Sequence, residues 1–299
     1  MSKSEDKSGV IQLFFAMIIM GTVGLFVIES GQSAYNVVFY RCLLGAFFLV
    51  VYCLYSGKFK GLELSAKSVL IIVLSGIFLV FNWVMLFESF KTASISTSTV
   101  IYHAQPFFFM LIWAALYRER VSANKIGWMV ISFVGVAFVA NIDTNEFSLS
   151  SSYIIGVILA LSAAVFWAIS AVIVKSLKGV SPYIITLVQL CIGIVVLYPL
   201  SDLSGFSSIT VKEWGCLFIL GAVHSCLTYI LMYSSYQKLS APIIAVMTFI
   251  YPAVAIVVDY YFYNVALSAI QLIGVFMIMF SSYAVNQNFS IFSRKKVKA

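Results

Sequence analysis

The sequence predicts an all-α membrane protein: ten transmembrane helices in two inverted five-helix halves, with both chain ends cytoplasmic. Three observations carry this prediction. The apolar residues fall in unbroken runs long enough to cross a bilayer. Lys and Arg crowd into the loops of one side. Two mid-helix prolines recur 146 residues apart.

Of the 299 residues, 62% are apolar and 10% are charged, against about 25% charged in a soluble domain. The runs lack the 3.6 or 2 period of half-exposed elements. Each is roughly 18 to 24 residues, enough to cross ~30 Å of hydrocarbon at 1.5 Å per residue. Barrel strands alternate between two faces, and this chain does not. Runs and breaks place spans at 10–28, 35–56, 68–90, 93–116, 124–141, 153–174, 181–201, 211–235, 240–263 and 267–287. The connections are short, as in "ESGQSAYN", "NIDTNEFSLSS" and "SDLSGFSSIT", and no extramembrane domain is expected. Cys42, Cys53, Cys191, Cys216 and Cys226 lie in or beside apolar runs without CxxC spacing. They read as small buried hydrophobes, with no metal set or disulfide framework.

Charge fixes the orientation. Lys3, Lys7, Lys58, Lys60, Lys67, Arg118, Arg120, Lys125, Lys175, Lys178, Lys238, Arg294, Lys295, Lys296 and Lys298 lie on one side, against Lys91 and Lys212 on the other. The crowded side is therefore cytoplasmic. Both ends lie there, which requires an even number of spans. The first span has the look of a signal peptide, but the internal repeat needs it as the first helix of its half. The net charge of +7 is spread over short loops, not concentrated on the basic face that nucleic acid requires.

The repeat appears when the sequence is slid on itself. At a shift of 146, Pro106 of "AQPFFFMLI" meets Pro252 of "IYPAVAIVV", Trp83 meets Tyr229 and Ser94 meets Ser240. At 147 or 148, "MGT" (20–22) overlies "WAI" (167–169), and "YRCLLG" (40–45) overlies "VQLCIG" (188–193). Five spans separate equivalent helices, so the halves are inverted. Inverted repeats place a binding site near the midplane between them.

Residues 91–140, "KTASISTSTVIYHAQPFFFMLIWAALYRERVSANKIGWMVISFVGVAFVA", resemble the EamA repeat of the drug/metabolite transporter superfamily. The resemblance lies in the Ala/Ser-rich helix start, the mid-helix Pro106, the Leu116–Arg120 helix end and the following helix with Gly127 and Gly135. Residues 240–283 are similar but degraded, keeping Pro252 and Gly274 with "YNVA" where a Glu-Arg-like end is usual. The resemblance implies a first repeat over 1–145, a second over 150–287 and a basic cytoplasmic tail over 288–299. It also implies export or exchange of metabolites, often amino acids, across a bacterial inner membrane. It does not name a substrate.

Within 93–116, Ser96, Thr99, His103, Pro106, Met110 and Trp113 follow steps of three and four and share one helix face. His103 lies about 15 Å from the outer end at helical rise, near the midplane. Pro106 removes a backbone donor and clashes with the Tyr102 carbonyl. Unpaired polar groups in hydrocarbon cost several kcal/mol. This face therefore looks at protein or water. Two readings of His103 stand: wall of a solute cavity, or hydrogen-bonding glue between helices. Gln105 points away from that face. Pro252 repeats the kink with Tyr251 before it and Thr248 as the nearest hydroxyl. The same two readings hold for Asn82, Trp83 and His224, and Trp167, Tyr229 and Tyr233 are either cavity walls or packing and interfacial anchors. Arg41, six residues into the second span, is a functional-site hypothesis by default. It either closes the outer mouth against Glu88 or Asp259, or fixes helix packing, which is the preferred reading.

The functional expectation is a secondary carrier of a small polar or zwitterionic solute, an amino acid or similar amphiphile, working by alternating access. His103, Asn82, Thr99 and His224 would meet its polar part, and Trp83, Trp167, Tyr229 and Tyr233 its apolar part. A repeat inside one chain suits a monomer in the bilayer. Facilitated diffusion or exchange is expected, because no acid sits at the midplane. No GxxxxGK[ST] loop points to ATP, and no clustered nucleophile or metal set points to an enzyme or a cofactor. A lipid or lipid-linked-sugar flippase is the serious rival, and a channel the lesser one.

Overall fold

The computed structural model of the chain describes residues 7–59, 65–118, 121–140, 152–177, 180–236, 238–239, 247, 250–287 and 289–291. Among these, seven helices are long and apolar enough to cross a membrane: Lys7–Glu29, Ala34–Tyr55, Ala66–Ala93, Ile95–Tyr117, Ser152–Val174, Tyr183–Leu200 and Val211–Met232. Three shorter apolar helices, Ala123–Val139, Ile250–Tyr263 and Ala269–Val285, supply the fifth, ninth and tenth spans. Helix starts carry their own signals. Ser33 and Ser65 accept the N–H of the residue three positions on. Thr210 with Glu213 and Ser268 with Gln271 form reciprocal capping boxes.

The packing obeys an exchange of each span with the one five later. The third span packs on the sixth, as the eighth does on the first. The third packs on the seventh, as the eighth does on the second. The fourth packs on the sixth, as the ninth does on the first. The pairs second–seventh, fourth–ninth and fifth–tenth map onto themselves. Side chains repeat the rule. Gly221 of the eighth span has room for no Cβ, which would lie 2.4 Å from Leu44 Cβ in the second. Its counterpart Gly76, in the third span, faces Gln189 and Ile192 in the seventh. The chain is thus two inverted five-helix repeats.

Three spans are not the continuous helices that the apolar runs suggest. The first breaks at Thr22, between helices Lys7–Gly21 and Val23–Glu29. The fourth breaks at His103–Ala104, between Ile95–Tyr102 and Gln105–Tyr117. The eighth widens into a π-helical turn over Leu220–Leu227. There His224 Nδ1, Ser225 Oγ and Thr228 Oγ1 each meet the carbonyl five residues earlier, at Ile219, Leu220 and Val223. Four of the five cysteines are buried, while Cys191 is exposed on the bundle surface.

Candidate functional site

The break in the fourth span has a local cause. Pro106 offers no N–H to the Tyr102 carbonyl and crowds it, so the first helix stops at Tyr102. The His103 N–H goes to Val100 O at 3.0 Å and Thr99 O at 3.2 Å, and the Ala104 N–H to Ile101 O at 3.0 Å. Pro106 then sits in the first turn of the next helix, where a missing donor costs nothing. The two halves pack differently. Every residue of Ile95–Tyr102 is buried, whereas in Gln105–Tyr117 only Phe107 is. In the ninth span, helix Ile250–Tyr263 carries buried Pro252. The two spans meet at these prolines, with the His103 ring 5.2 Å from the Tyr251 ring. Pro106→Ala restores the missing donor and straightens the span. It is expected to leave the melting temperature equal or higher, while slowing solute exchange about tenfold, the rate equivalent of about 1.4 kcal/mol. Paired thermal melts and liposome exchange rates check this.

Arg41 organises the space beside that crossing. It lies seven residues into helix Ala34–Tyr55, about 11 Å from its start at helical rise. It is 2% exposed. Its Nε donates to Ser225 Oγ at 2.6 Å. Its guanidinium carbon lies 4.6 Å from the Trp83 ring centre and 5.5 Å from that of Phe87. Tyr102, Tyr229 and Tyr251 stand within its electrostatic reach. Trp83, whose counterpart in the sequence repeat is Tyr229, covers one face of the guanidinium. Arg41 makes no ion pair with Glu88 or Asp259. The ion pair found among the described residues joins Lys212 to Glu29.

The other sequence-predicted residues divide by what they touch. Thr99 is fully buried, and its Oγ1 lacks a hydrogen-bond partner. His103 is nearly buried, with Nδ1 3.2 Å from Thr99 O. Asn82 is fully buried and donates to Ala163 O at 2.7 Å and Tyr102 Oη at 3.2 Å. It ties the third span to the sixth and fixes the Tyr102 hydroxyl. His224 packs on Phe26, with Nε2 3.2 Å from Thr22 Oγ1 at the break of the first span. Tyr229 and Trp167 are half-buried, Trp167 against the main apolar core. The Tyr233 side chain and Thr248 lie outside the described residues. Glu88 is half-buried and makes no ion pair with Arg41. Asp259 is buried, and its Oδ2 accepts both the N–H and the hydroxyl of Ser96 at 2.6 Å.

Sequence reasoning missed Tyr102, Phe87, Ser225 and Thr22 as neighbours of this site. None has a motif. Thr22 alone had a trace, as the polar member of the repeated "MGT".

The end of the bundle poor in lysine is tied across the two repeats. Glu29 of the first span takes Lys212 of the eighth and the Tyr263 hydroxyl of the ninth. Asn36 donates to Asp202 O at 2.9 Å, and Asp259 holds the start of the fourth span. Lys91, the second lysine of that end, donates to Gln32 O.

Comparison with known proteins matches residues 7–141 and again 154–287 to the EamA-like transporter family. An uncharacterized transporter of Bacillus subtilis, YxxF, is 32% identical over 277 residues, covering 93% of this chain and 89% of the relative. The pseudopaline exporter CntI of Pseudomonas aeruginosa is 26% identical over 247 residues, covering 82% and 84%. A solved crystal structure superposes with a TM-score of 0.61 at 16% identity, covering 95% of this chain and 97% of the other, which shows the shared fold.

Proposed function

The chain belongs to the EamA-like transporter family, and from that premise we propose that it is a bacterial inner-membrane secondary carrier. It moves an amino acid or amino-acid-like metabolite by alternating access, in export or exchange, with both termini cytoplasmic. The observation that carries this is the crossing of the fourth and ninth spans at their prolines, where His103 and Tyr251 meet beside a buried guanidinium. Such a place joins elements of both repeats near half depth, as rocking-bundle carriers require. The lysine-poor end is latched across the two repeats by Glu29, Lys212 and Tyr263. A relative named as an exporter of a metabolite supports the solute class.

The flippase reading has one observation in its favour, an open groove between the second and eighth spans bounded by Phe48, Val51, Tyr55 and Leu227. Its walls are apolar and offer little to hold a headgroup, so a soluble solute is preferred. Counterflow in proteoliposomes separates the readings. Saturable, trans-stimulated exchange of a labelled amino acid supports the carrier. Ohmic current supports a channel, and movement of lipid alone supports a flippase. His103→Ala is expected to cut exchange at least about tenfold, a change of about 1.4 kcal/mol in barrier, with the protein still folded. A variant that unfolds while its surviving fraction exchanges normally assigns His103 to helix packing.

A further inference from the structure

We infer that Arg41 is the carboxylate-binding residue of the central site, so that the solute carries a single negative group there. This rests on the carrier reading and names the chemistry of its substrate.

Arg41 is a buried cation without a counter-ion among the described residues. Of its five N–H groups, only the one on Nε has a partner, Ser225. The terminal nitrogens have no hydrogen-bond partner among the described residues, although the side chain is almost wholly buried. A charge taken out of water is costly unless an opposite charge and hydrogen bonds meet it. The faces of Trp83 and Phe87 offset part of that cost. They leave the end of the fork unmet, which is the edge that takes a carboxylate through two parallel hydrogen bonds.

The repeat supplies a control for the structural alternative. Residue 41 coincides with Gln189 at the shift of 148. Arg41 of the second span reaches Ser225 of the eighth, and Gln189 of the seventh donates to Ser75 of the third at 3.1 Å. Both bridges join corresponding pairs of spans, although Ser75 answers to Leu220 in the repeat and not to Ser225, so they sit more than a turn apart. In the seventh span a neutral amide serves to join the helices. What Arg41 adds is a charge and the donors of its terminal nitrogens, held against the faces of Trp83 and Phe87. Among the described residues no lysine or second arginine stands with it, and both histidines are buried against carbonyl or hydroxyl oxygens. One positive charge matches a carboxylate, whereas a phosphate dianion would leave a net negative charge buried.

The test uses purified full-length protein and matched pairs of probes: L-leucine, L-phenylalanine and L-methionine, each against its carboxamide. Isothermal titration is expected to show each acid binding about ten times or more tighter than its amide, as losing a charge-assisted pair predicts. Arg41→Gln, which copies the counterpart residue, should erase that preference to within about twofold while melting no lower than the parent. Arg41→Lys should keep the preference in weakened form, which shows that charge and not fold is being read. Equal binding of acids and amides by the parent, absence of binding by both, or a preference surviving in Arg41→Gln overturns the inference. A collapse of melting temperature in Arg41→Gln that Arg41→Lys does not share also overturns it, because the charge would then be structural. Counterflow keeps the two ideas apart. Exchange that persists with amides and in Arg41→Gln leaves the carrier reading standing and removes this one, while absence of exchange with all solutes removes the carrier reading alone.

Discussion

Gly274→Leu is expected to remove most of the folded protein from the membrane fraction. The fifth and tenth spans touch through Gly135 and Gly274. A Cβ on Gly274 would lie 2.5 Å from Gly135 O and 2.8 Å from Phe138 Cβ, and a Cβ on Gly135 2.8 Å from Gly274 O. The obstructing atoms include backbone carbonyls, which cannot rotate aside as a side chain does. Small residues let membrane helices approach this closely, and dispersion across the contact holds them. Overpacking costs about 1–3 kcal/mol when side chains can shift, so the leucine variant should lose about 3 kcal/mol or more. Monodisperse yield and melting temperature measure the loss. Gly215→Ala is the control: nothing lies within 4 Å of its Cβ position, and stability should not fall.

Asp259→Ala should be nearly as damaging. Ser96 lies in the first turn of helix Ile95–Tyr102, where backbone donors have no partner inside the helix. The turn begins at Ser94, whose φ of 74° re-aims the chain between the third and fourth spans. Asp259, from the other repeat, meets both the N–H and the hydroxyl of Ser96, and its charge suits the helix N-terminus. Hydrogen bonds to a charged group contribute about 1.5–3 kcal/mol each, and a buried donor left unmet costs about 1–3 kcal/mol. A loss of about 3 kcal/mol is expected, visible as a lowered melting temperature. Asp259→Asn keeps one acceptor and should lose less than half as much.

Most of the fold was legible because it rests on properties that a bilayer enforces everywhere. Apolar runs count spans, and the prolines 146 residues apart expose the repeat. The site was legible only in part. Pro106 announced the break at Tyr102 through a clash confined to one turn. Arg41 announced itself as a charge in an apolar run, but its partners lie 42 to 184 positions away. Cation–π contact with Trp83 and a hydrogen bond to Ser225 leave no spacing in the sequence. The acids nearest in imagination, Glu88 and Asp259, were drawn by charge alone. Asp259 instead serves the fourth helix, a role set by the turn at Ser94. The π-helical turn at Leu220–Leu227 was silent as well, since His224, Ser225 and Thr228 reveal their i−5 bonding only once the helix has widened.

The central claim is a hydrated space between the repeats where the broken fourth span meets the ninth. Thiol accessibility at position 103 tests it most directly. His103→Cys is placed in a chain whose five native cysteines are replaced by alanine, reconstituted in proteoliposomes and exposed to a membrane-impermeant maleimide. The account predicts labelling from at least one aqueous side, slowed when a transported amino acid is present. Complete protection of Cys at this position from both sides, with and without solute, in protein shown to be folded, would contradict it.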